Sequence, residues 1–352
     1  MKAILLAGGQ GTRLRPLTLN TPKPVVPIFD RPFLTYQIDL IKQVPEIDEV
    51  VLSLNYQPEA IAAVFGDGSA LGIRLRYIVE PEPLGTAGGI KFASRGLDGP
   101  IVVFNGDVLT SIDLGAVIRL HRERQARATI VLTPVENPSA FGLVETDEQH
   151  NIRRFLEKPK PEEITTNRIN AGIYVLEPET FDRIPDGVSW SIERKYFPSL
   201  IERSETFLAF DYQGYWIDIG TPQKYLQVHQ DVLAGRFPAA PFLEQAAPRA
   251  CVSPHARIDP AATIESPCFI GDGVVVEAGA RVGALSVIGH GSRIEAGASL
   301  DGAIVWPGSV VGPGATVRGS IVGRDCRLGA NSIVEGGAVL GDRTHLTDYT
   351  RA

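Results

Sequence analysis

Along the first two thirds of the chain, short runs of branched aliphatic residues alternate with longer amphipathic stretches. Val50-Val51-Leu52-Ser53-Leu54 and Ile101-Val102-Val103-Phe104 have the length and β-branched content of buried strands, and residues 34–43 have helical spacing. Strands apolar on both faces are those covered by helices on both sides of a mostly parallel sheet. The rhythm over residues 1–236 therefore predicts an α/β, Rossmann-like domain whose ligands collect at the C-terminal ends of its strands. The opening Met1-Lys2-Ala3-Ile4-Leu5-Leu6-Ala7 reads as the first strand, because its apolar run stops at Gly8-Gly9, too soon for a signal peptide.

The pattern changes beyond the helix-like residues 223–233. Residues 237–250, from Phe237-Pro238-Ala239-Ala240-Pro241 to Pro248-Arg249-Ala250, have the proline and alanine content of a linker. Over residues 251–348 one branched aliphatic residue then recurs every six positions: Val252, Ile258, Ile264, Ile270, Val276, Val282, Ile288, Ile294 and Leu300. After a five-residue step the series resumes at Val305, Val311, Val317, Val322, Leu328, Val334, Leu340 and Leu346. Such a register, with Gly, Ala, Ser or Asp between the apolar positions, marks a parallel β-helix whose stacked coils share one core.

Charge narrows the ligand. The net charge of −7 leaves no global basic field for a nucleic-acid backbone or an anionic membrane, so an anion must be met by local basic groups. No uninterrupted apolar stretch approaches the ~18 residues of a membrane span. Three cysteines, Cys251, Cys268 and Cys326, without C-x-x-C spacing, fit a reducing cytoplasm.

Local basic groups cluster behind the first predicted strand. In Leu5-Leu6-Ala7-Gly8-Gly9-Gln10-Gly11-Thr12-Arg13-Leu14 the glycines let backbone N–H groups turn toward an anion, and Arg13, Arg15 and Lys23 follow within a turn or two. The loop has neither the P-loop nor the dinucleotide-binding spacing, and by itself could be a tight strand-to-helix turn. Two aspartates stand at predicted strand ends, Asp107 in Phe104-Asn105-Gly106-Asp107 and Asp218 in Tyr215-Trp216-Ile217-Asp218-Ile219-Gly220-Thr221-Pro222. Their hard oxygens suit Mg²⁺ bound jointly with phosphate, although either could instead cap a helix or form a turn.

Taken through Pro24, the string L-A-G-G-Q-G-T-R-L-R-P-L-T-x-x-x-P-K-P resembles the signature of the sugar nucleotidyltransferases, also called nucleotide-sugar pyrophosphorylases. The resemblance implies that Leu6, Ala7, Gly8, Gly9, Gly11 and Thr12 wrap the nucleotide, and that Arg13 and Lys23 hold the triphosphate and the departing pyrophosphate. It makes Asp107 and Asp218 the magnesium ligands. Phe155-Leu156-Glu157-Lys158-Pro159 and Ile169-Asn170-Ala171-Gly172 match further family motifs, in which Glu157 and Asn170 bond sugar hydroxyls and Lys158 contacts the sugar phosphate. Gly142 fits the sugar-side loop through its backbone, while Phe141 stands where many members have tyrosine. For the C-terminal repeat, the resemblance to hexapeptide-repeat proteins implies a triangular, left-handed β-helix of roughly five to six coils, against the general right-handed preference of crossovers.

Glu80-Pro81-Glu82-Pro83-Leu84-Gly85-Thr86-Ala87-Gly88 resembles the guanylyl-transferring members, placing Glu80, Gly85 and Thr86 at the nucleotide. A carboxylate only accepts hydrogen bonds, so Glu80 could pair with guanine N1–H and N2–H₂ but would be repelled by the carbonyls of uracil or thymine. Alternatively, Glu80 faces solvent. Together with Ser191-Ile192-Glu193-Arg194, these stretches look like those of mannose-1-phosphate guanylyltransferases. The implied reaction is attack of a hexose 1-phosphate oxygen on the α-phosphorus of GTP or another nucleoside triphosphate. A phosphate dianion needs no protein nucleophile, and all six histidines lie outside the matched motifs. Competing readings are a glucose-1-phosphate thymidylyl- or uridylyltransferase, a bifunctional chain whose β-helix transfers acyl groups through His290 or His345, and a non-catalytic regulatory subunit. The stacked flat faces of a β-helix also suit a homo-oligomer.

Overall fold

The apolar run that opens the chain, Lys2–Leu6, lies in the middle of a mixed sheet and pairs in parallel with Glu49–Leu54 on one side and Ile101–Asn105 on the other. The computed structural model describes residues 1–242 and 249–352; the predicted linker at 237–250 thus falls partly outside the described residues, at 243–248. Among the described residues, nine strands make up this sheet. Arg74–Val79 extends the parallel set beyond Glu49–Leu54. Arg168–Leu176 runs antiparallel to Ile101–Asn105 and carries Ala128–Pro134 as its other neighbour, and Gly142–Thr146 with Ile152–Glu157 forms an antiparallel extension. The expected α/β domain with a mostly parallel centre is therefore present. Its core is built where the sequence is apolar on both strand faces: Ile4, Val51, Val103, Ile130, Tyr174 and Phe197 are fully buried in one cluster.

Two compact units are distinguished along the chain. One comprises Met1–Gly9 and Leu34–Trp216 and contains this sheet; the other comprises Gln10–Phe33 and Ile217–Ala352. The basic, glycine-containing segment after Gly9 therefore groups with the C-terminal part of the chain.

In the second unit the six-residue repeat becomes three all-parallel sheets of short strands, with six, six and five strands among the described residues. This is the arrangement of the expected left-handed β-helix. Each repeat residue stacks on the one three repeats later: Val276 pairs with Ile294, Ile294 with Val311, and Val311 with Leu328. The five-residue steps shorten two corners without breaking the columns, so Ile288 still meets Val305 and Leu300 still meets Val317. Ile288, Ile294, Leu300, Val311 and Val317 are wholly buried in a continuous core, whereas Ile258 and Leu346 near the ends are only partly covered.

Coverage sets the energetic ranking of these columns. Ile294→Ala, in a middle coil, is expected to cost about 2–5 kcal/mol, the range for truncating a large aliphatic side chain in a packed core. Ile258→Ala, in an end coil, is expected to cost distinctly less because the void opens to solvent. Denaturant unfolding of the two variants checks this; equal losses would show that the coils do not share one graded core.

Candidate active site

The sheet-bearing unit gathers the first set of predicted site residues at the C-terminal ends of its parallel strands. Leu6 closes the first strand, and Ala7 continues toward its neighbour with a backbone bond to Ser53 O at 3.0 Å, carrying Gly8 and Gly9 beyond the sheet edge. The turn Asn105-Gly106-Asp107 follows Ile101–Asn105; Gly106 N–H donates to Leu6 O at 3.0 Å, and the Gln37 amide donates to Asn105 O and Val108 O at 2.9 and 2.8 Å. These bonds hold the turn that carries the half-buried Asp107.

Glu80 follows the strand Arg74–Val79 and does not face solvent. One carboxylate oxygen accepts the Ser53 hydroxyl at 2.9 Å and the other accepts Leu84 N–H at 3.0 Å. Both oxygens thus organise the loop that leads into the helix Gly85–Ala93, while retaining lone pairs for a further donor. Thr86, in the first turn of that helix, accepts Ile192 N–H at 2.7 Å and donates to Glu193 at 3.1 Å. The Ser191 hydroxyl donates to the same Glu193 oxygen at 2.7 Å.

Gly142, Glu157 and Asn170 are brought together in this unit. Gly142 lies opposite Glu157 in an antiparallel pair, and Lys158 then turns out of the strand at φ 54°, its N–H bonded to Phe141 O at 2.9 Å. A bulge interrupts the pairing of Arg168–Leu176 with Ala128–Pro134 between Asn170 and Tyr174. Gly172 makes it possible: its φ is 74°, and a Cβ there would come within 2.8 Å of the Asn105 amide. The bulge lets the Asn170 side chain donate to Tyr174 Oη at 2.9 Å and accept from Gly172 N–H at 2.8 Å. Trp216 caps the bulge carbonyl Ala171 O at 2.9 Å, and Phe141 packs edge-on against Trp216 with centroids 5.8 Å apart.

Electrostatics reveal a residue to which the motifs assigned no site role. The Glu157 carboxyl is pushed above its ordinary pKa, first by burial and then by the negative charge of Glu193, against the opposing pull of Lys158 and Arg194. The same Glu193 adds to the burial that holds the Tyr174 hydroxyl well above its usual range. Glu193 lies in Ser191-Ile192-Glu193-Arg194, which the sequence marked only as a segment. A glutamate two residues after a serine that it can cap back onto was the available signal.

The second unit holds Gly11, Thr12, Arg13, Lys23 and Asp218. Gly11 has φ 62°, accepts the Thr18 hydroxyl at 2.7 Å through its carbonyl, and precedes the short turn Thr12–Leu14. Its α-carbon faces the Lys23 stem, where an added Cβ would stand 3.3 Å from Lys23 Cβ. The exposed Arg13 guanidinium lies against Gly220, where a Cβ would come 3.0 Å from Nη1, so only glycine leaves this approach unhindered. Gly220 belongs to the turn after Trp216–Asp218, and its N–H donates to Asp218 O at 3.0 Å. The Asp218 carboxylate is nearly buried and is ion-paired with Lys224 from the helix Pro222–Leu233. Lys224 carries no family motif, which is why sequence reasoning passed over it. Arg13, Lys23 and Asp218 thus share one unit; Glu80, Asp107, Gly142, Glu157, Lys158 and Asn170 belong to the other.

Residues 2–235 match the nucleotidyl transferase family, and residues 267–351 match the GMPPB C-terminal domain. Mannose-1-phosphate guanylyltransferase of Mycobacterium tuberculosis is 43% identical over 239 residues, 67% of this chain and 66% of that protein. Mannose-1-phosphate guanyltransferase of Debaryomyces hansenii is 41% identical over 232 residues, 64% of this chain and 63% of its own length. In both, the aligned region falls just short of two thirds of the relative. Among solved structures, HddC from Yersinia pseudotuberculosis complexed with GMP-PN is 28% identical with a TM-score of 0.55, covering 64% of this chain and 96% of that one.

The carboxylate pair yields a direct test. In Glu193→Gln, the Glu157 titration followed by carboxyl carbon NMR is expected to move down toward the ordinary glutamate range without reaching it, since burial is the larger cause. An unmoved titration would mean that Glu193 exerts no field on Glu157.

Proposed function

The chain belongs to the nucleotidyl transferase family, and from that premise we propose that it makes GDP-mannose and pyrophosphate from GTP and mannose 1-phosphate. The observation that carries this reading is the joint presence of the family signature and of a polar sugar-side cluster in a chain 43% identical to a named mannose-1-phosphate guanylyltransferase. The guanine assignment draws its support from the names of the relatives and from GMP-PN in the HddC crystal. Glu80 can contribute through the lone pairs that Ser53 and Leu84 leave open.

The chemistry divides among side chains by charge. Arg13 and Lys23 neutralise the triphosphate and the charge that develops on pyrophosphate as it leaves. Lys158, turned out of its strand, holds the attacking phosphate, and Glu157 and Asn170 take sugar hydroxyls. Gly8, Gly9, Gly11 and Thr12 offer backbone N–H groups to the nucleotide. Gly142 binds the sugar through its backbone, and Gly85 and Thr86 border the nucleotide. A sugar phosphate dianion is already nucleophilic, so the work is placement and charge neutralisation. His290, the candidate base for an acyl transfer, has its backbone N–H and Nδ1 directed at Asp30.

Members of this family generally use a divalent metal. The donor chemistry suits one: Asp107 in one unit and Asp218 in the other are carboxylates, the hard oxygen donors that Mg²⁺ takes, and they would be its ligands. When bound, the ion supplies charge compensation to phosphate oxygens. Asp218 is ion-paired with Lys224.

No helix among the described residues is long and apolar enough to cross a membrane, and the three thiols are free, which suits work in the cytoplasm. The β-helix favours a homo-oligomer, which light scattering checks.

Pyrophosphate release measured over four nucleoside triphosphates and several hexose 1-phosphates is expected to be fastest with GTP and mannose 1-phosphate. A faster reaction of dTTP or UTP with glucose 1-phosphate would replace the substrate assignment. Asp107→Asn is expected to lower turnover by roughly 10²-fold or more with the fold retained, as for loss of a preorganised electrostatic group; normal turnover would remove Asp107 from the metal site.

A further inference from the structure

The segment Gln10–Phe33 lies along one corner of the β-helix within the second unit. Strands of one sheet, from Cys268–Ile270 to Val339–Leu340, are each followed by a corner residue: Gly271, Gly289, Trp306, Gly323 and Gly341. Four are glycines. The Asp30 carboxylate sits directly over Gly271, reaches Gly289, and accepts His290 N–H at 2.9 Å. At the other end, a Cβ on Gly341 would meet the Pro16 ring carbon Cβ at 3.1 Å. Glycine corners thus admit the segment at both ends of the column.

The middle corner is the exception, and its side chain makes the connection that glycine cannot. Trp306 is 1% exposed, and its indole N–H donates to Tyr225 Oη at 2.9 Å. The Tyr225 hydroxyl in turn donates to Pro27 O. Pro27 is four residues beyond Lys23 and closely linked to it: Val26 N–H bonds Lys23 O at 3.2 Å, and Phe33 N–H bonds Val26 O at 2.9 Å. Pro27–Ile28 pairs antiparallel with Arg31–Pro32, and the tip of this hairpin holds Phe29 and Asp30 at φ 50° and 63°, costly for a phenylalanine. Phe29 is kept there by ring contacts with His229, Phe242 and Phe269, at centroid distances of 4.9, 5.4 and 5.4 Å.

We infer that the β-helix corner positions the phosphate-binding segment, with Trp306 and Tyr225 as positioning residues that fix the backbone behind Lys23. The domain then serves turnover directly, in addition to any role in assembly. The kinetic part of this inference rests on the nucleotidyl-transfer reading; the structural part does not.

The test compares Tyr225→Phe and Trp306→Phe with Val311→Ala, a β-helix core variant on another sheet. Amide exchange at Val25, Val26 and Phe33 is measured together with Tm and with kcat and KM for GTP and mannose 1-phosphate. In the two relay variants, exchange at these amides is expected to rise several-fold and kcat to fall roughly tenfold, the scale of a modest misplacement of a catalytic group, with KM for mannose 1-phosphate unchanged. Val311→Ala is expected to lower Tm while leaving both the exchange at these amides and kcat at wild-type levels. Unchanged exchange in both relay variants would overturn the inference, and so would a kcat that simply follows Tm across all three proteins. If the wild-type chain releases no pyrophosphate with any substrate pair, the transfer reading fails, while the exchange measurement still decides whether the corner fixes the segment.

Discussion

If Gln10–Phe33 binds an anion through Arg13 and Lys23, as proposed, its polar face must stay open and its backbone has to be fixed from behind. Gln10–Phe33 meets this constraint by burying Leu14, Leu17, Val26, Ile28 and Phe29 on its other side. Packing alone would leave the hairpin free to slide, because apolar contact is non-directional. The chain from Trp306 through Tyr225 to Pro27 supplies direction. A buried indole N–H and a buried phenol each need a partner, and here each satisfies the next. Phe29 completes the arrangement: a turn that would relax in isolation is over-determined by three ring contacts.

The sheet-bearing unit solves a different problem, that of bringing uncharged hydrogen-bonding groups and carboxylates close together without neutralising them. The bulge at Gly172 carries Asn170 toward Tyr174, and the neighbouring strand supplies Asn105 against the bulge. Glu193 is held by Thr86 and Ser191, so its charge stays near Glu157 instead of turning to solvent. The resulting repulsion and burial leave the Glu157 carboxyl more ready to hold a proton than a surface glutamate. The cluster thus offers both a donor and acceptors: the Asn170 amide and the Glu157 and Glu193 carboxyl groups.

The β-helix was the most legible part of the sequence, since one apolar residue per repeat is both the pattern in the chain and the column in the core. The parallel centre of the sheet was legible for a related reason: strands covered on both faces leave continuous apolar runs. Tyr225, Trp306 and Asp30 carried no such mark, because their contacts span 198, 81 and 260 residues and follow no period. Glu80 shows the limit differently. Its residue type suited guanine, but the type does not reveal that Ser53 and Leu84 already donate to its two oxygens. The grouping of Gln10–Phe33 with the C-terminal residues was also hidden, since its motif is read in continuity with the first strand.

Stacked coils suit the task of fixing such a segment for a mechanical reason. Strands of the inner coils are bonded above and below, so a displacement at one corner must strain its neighbours in the next coil. Trp306 occupies the middle of the corner column, with coils on both sides, where that resistance is greatest. Gly271 and Gly341 lie toward its ends and only admit the passing chain. A reaction that uses no protein nucleophile depends on where its cations stand, so rigidity at the corner behind Lys23 would serve it through placement.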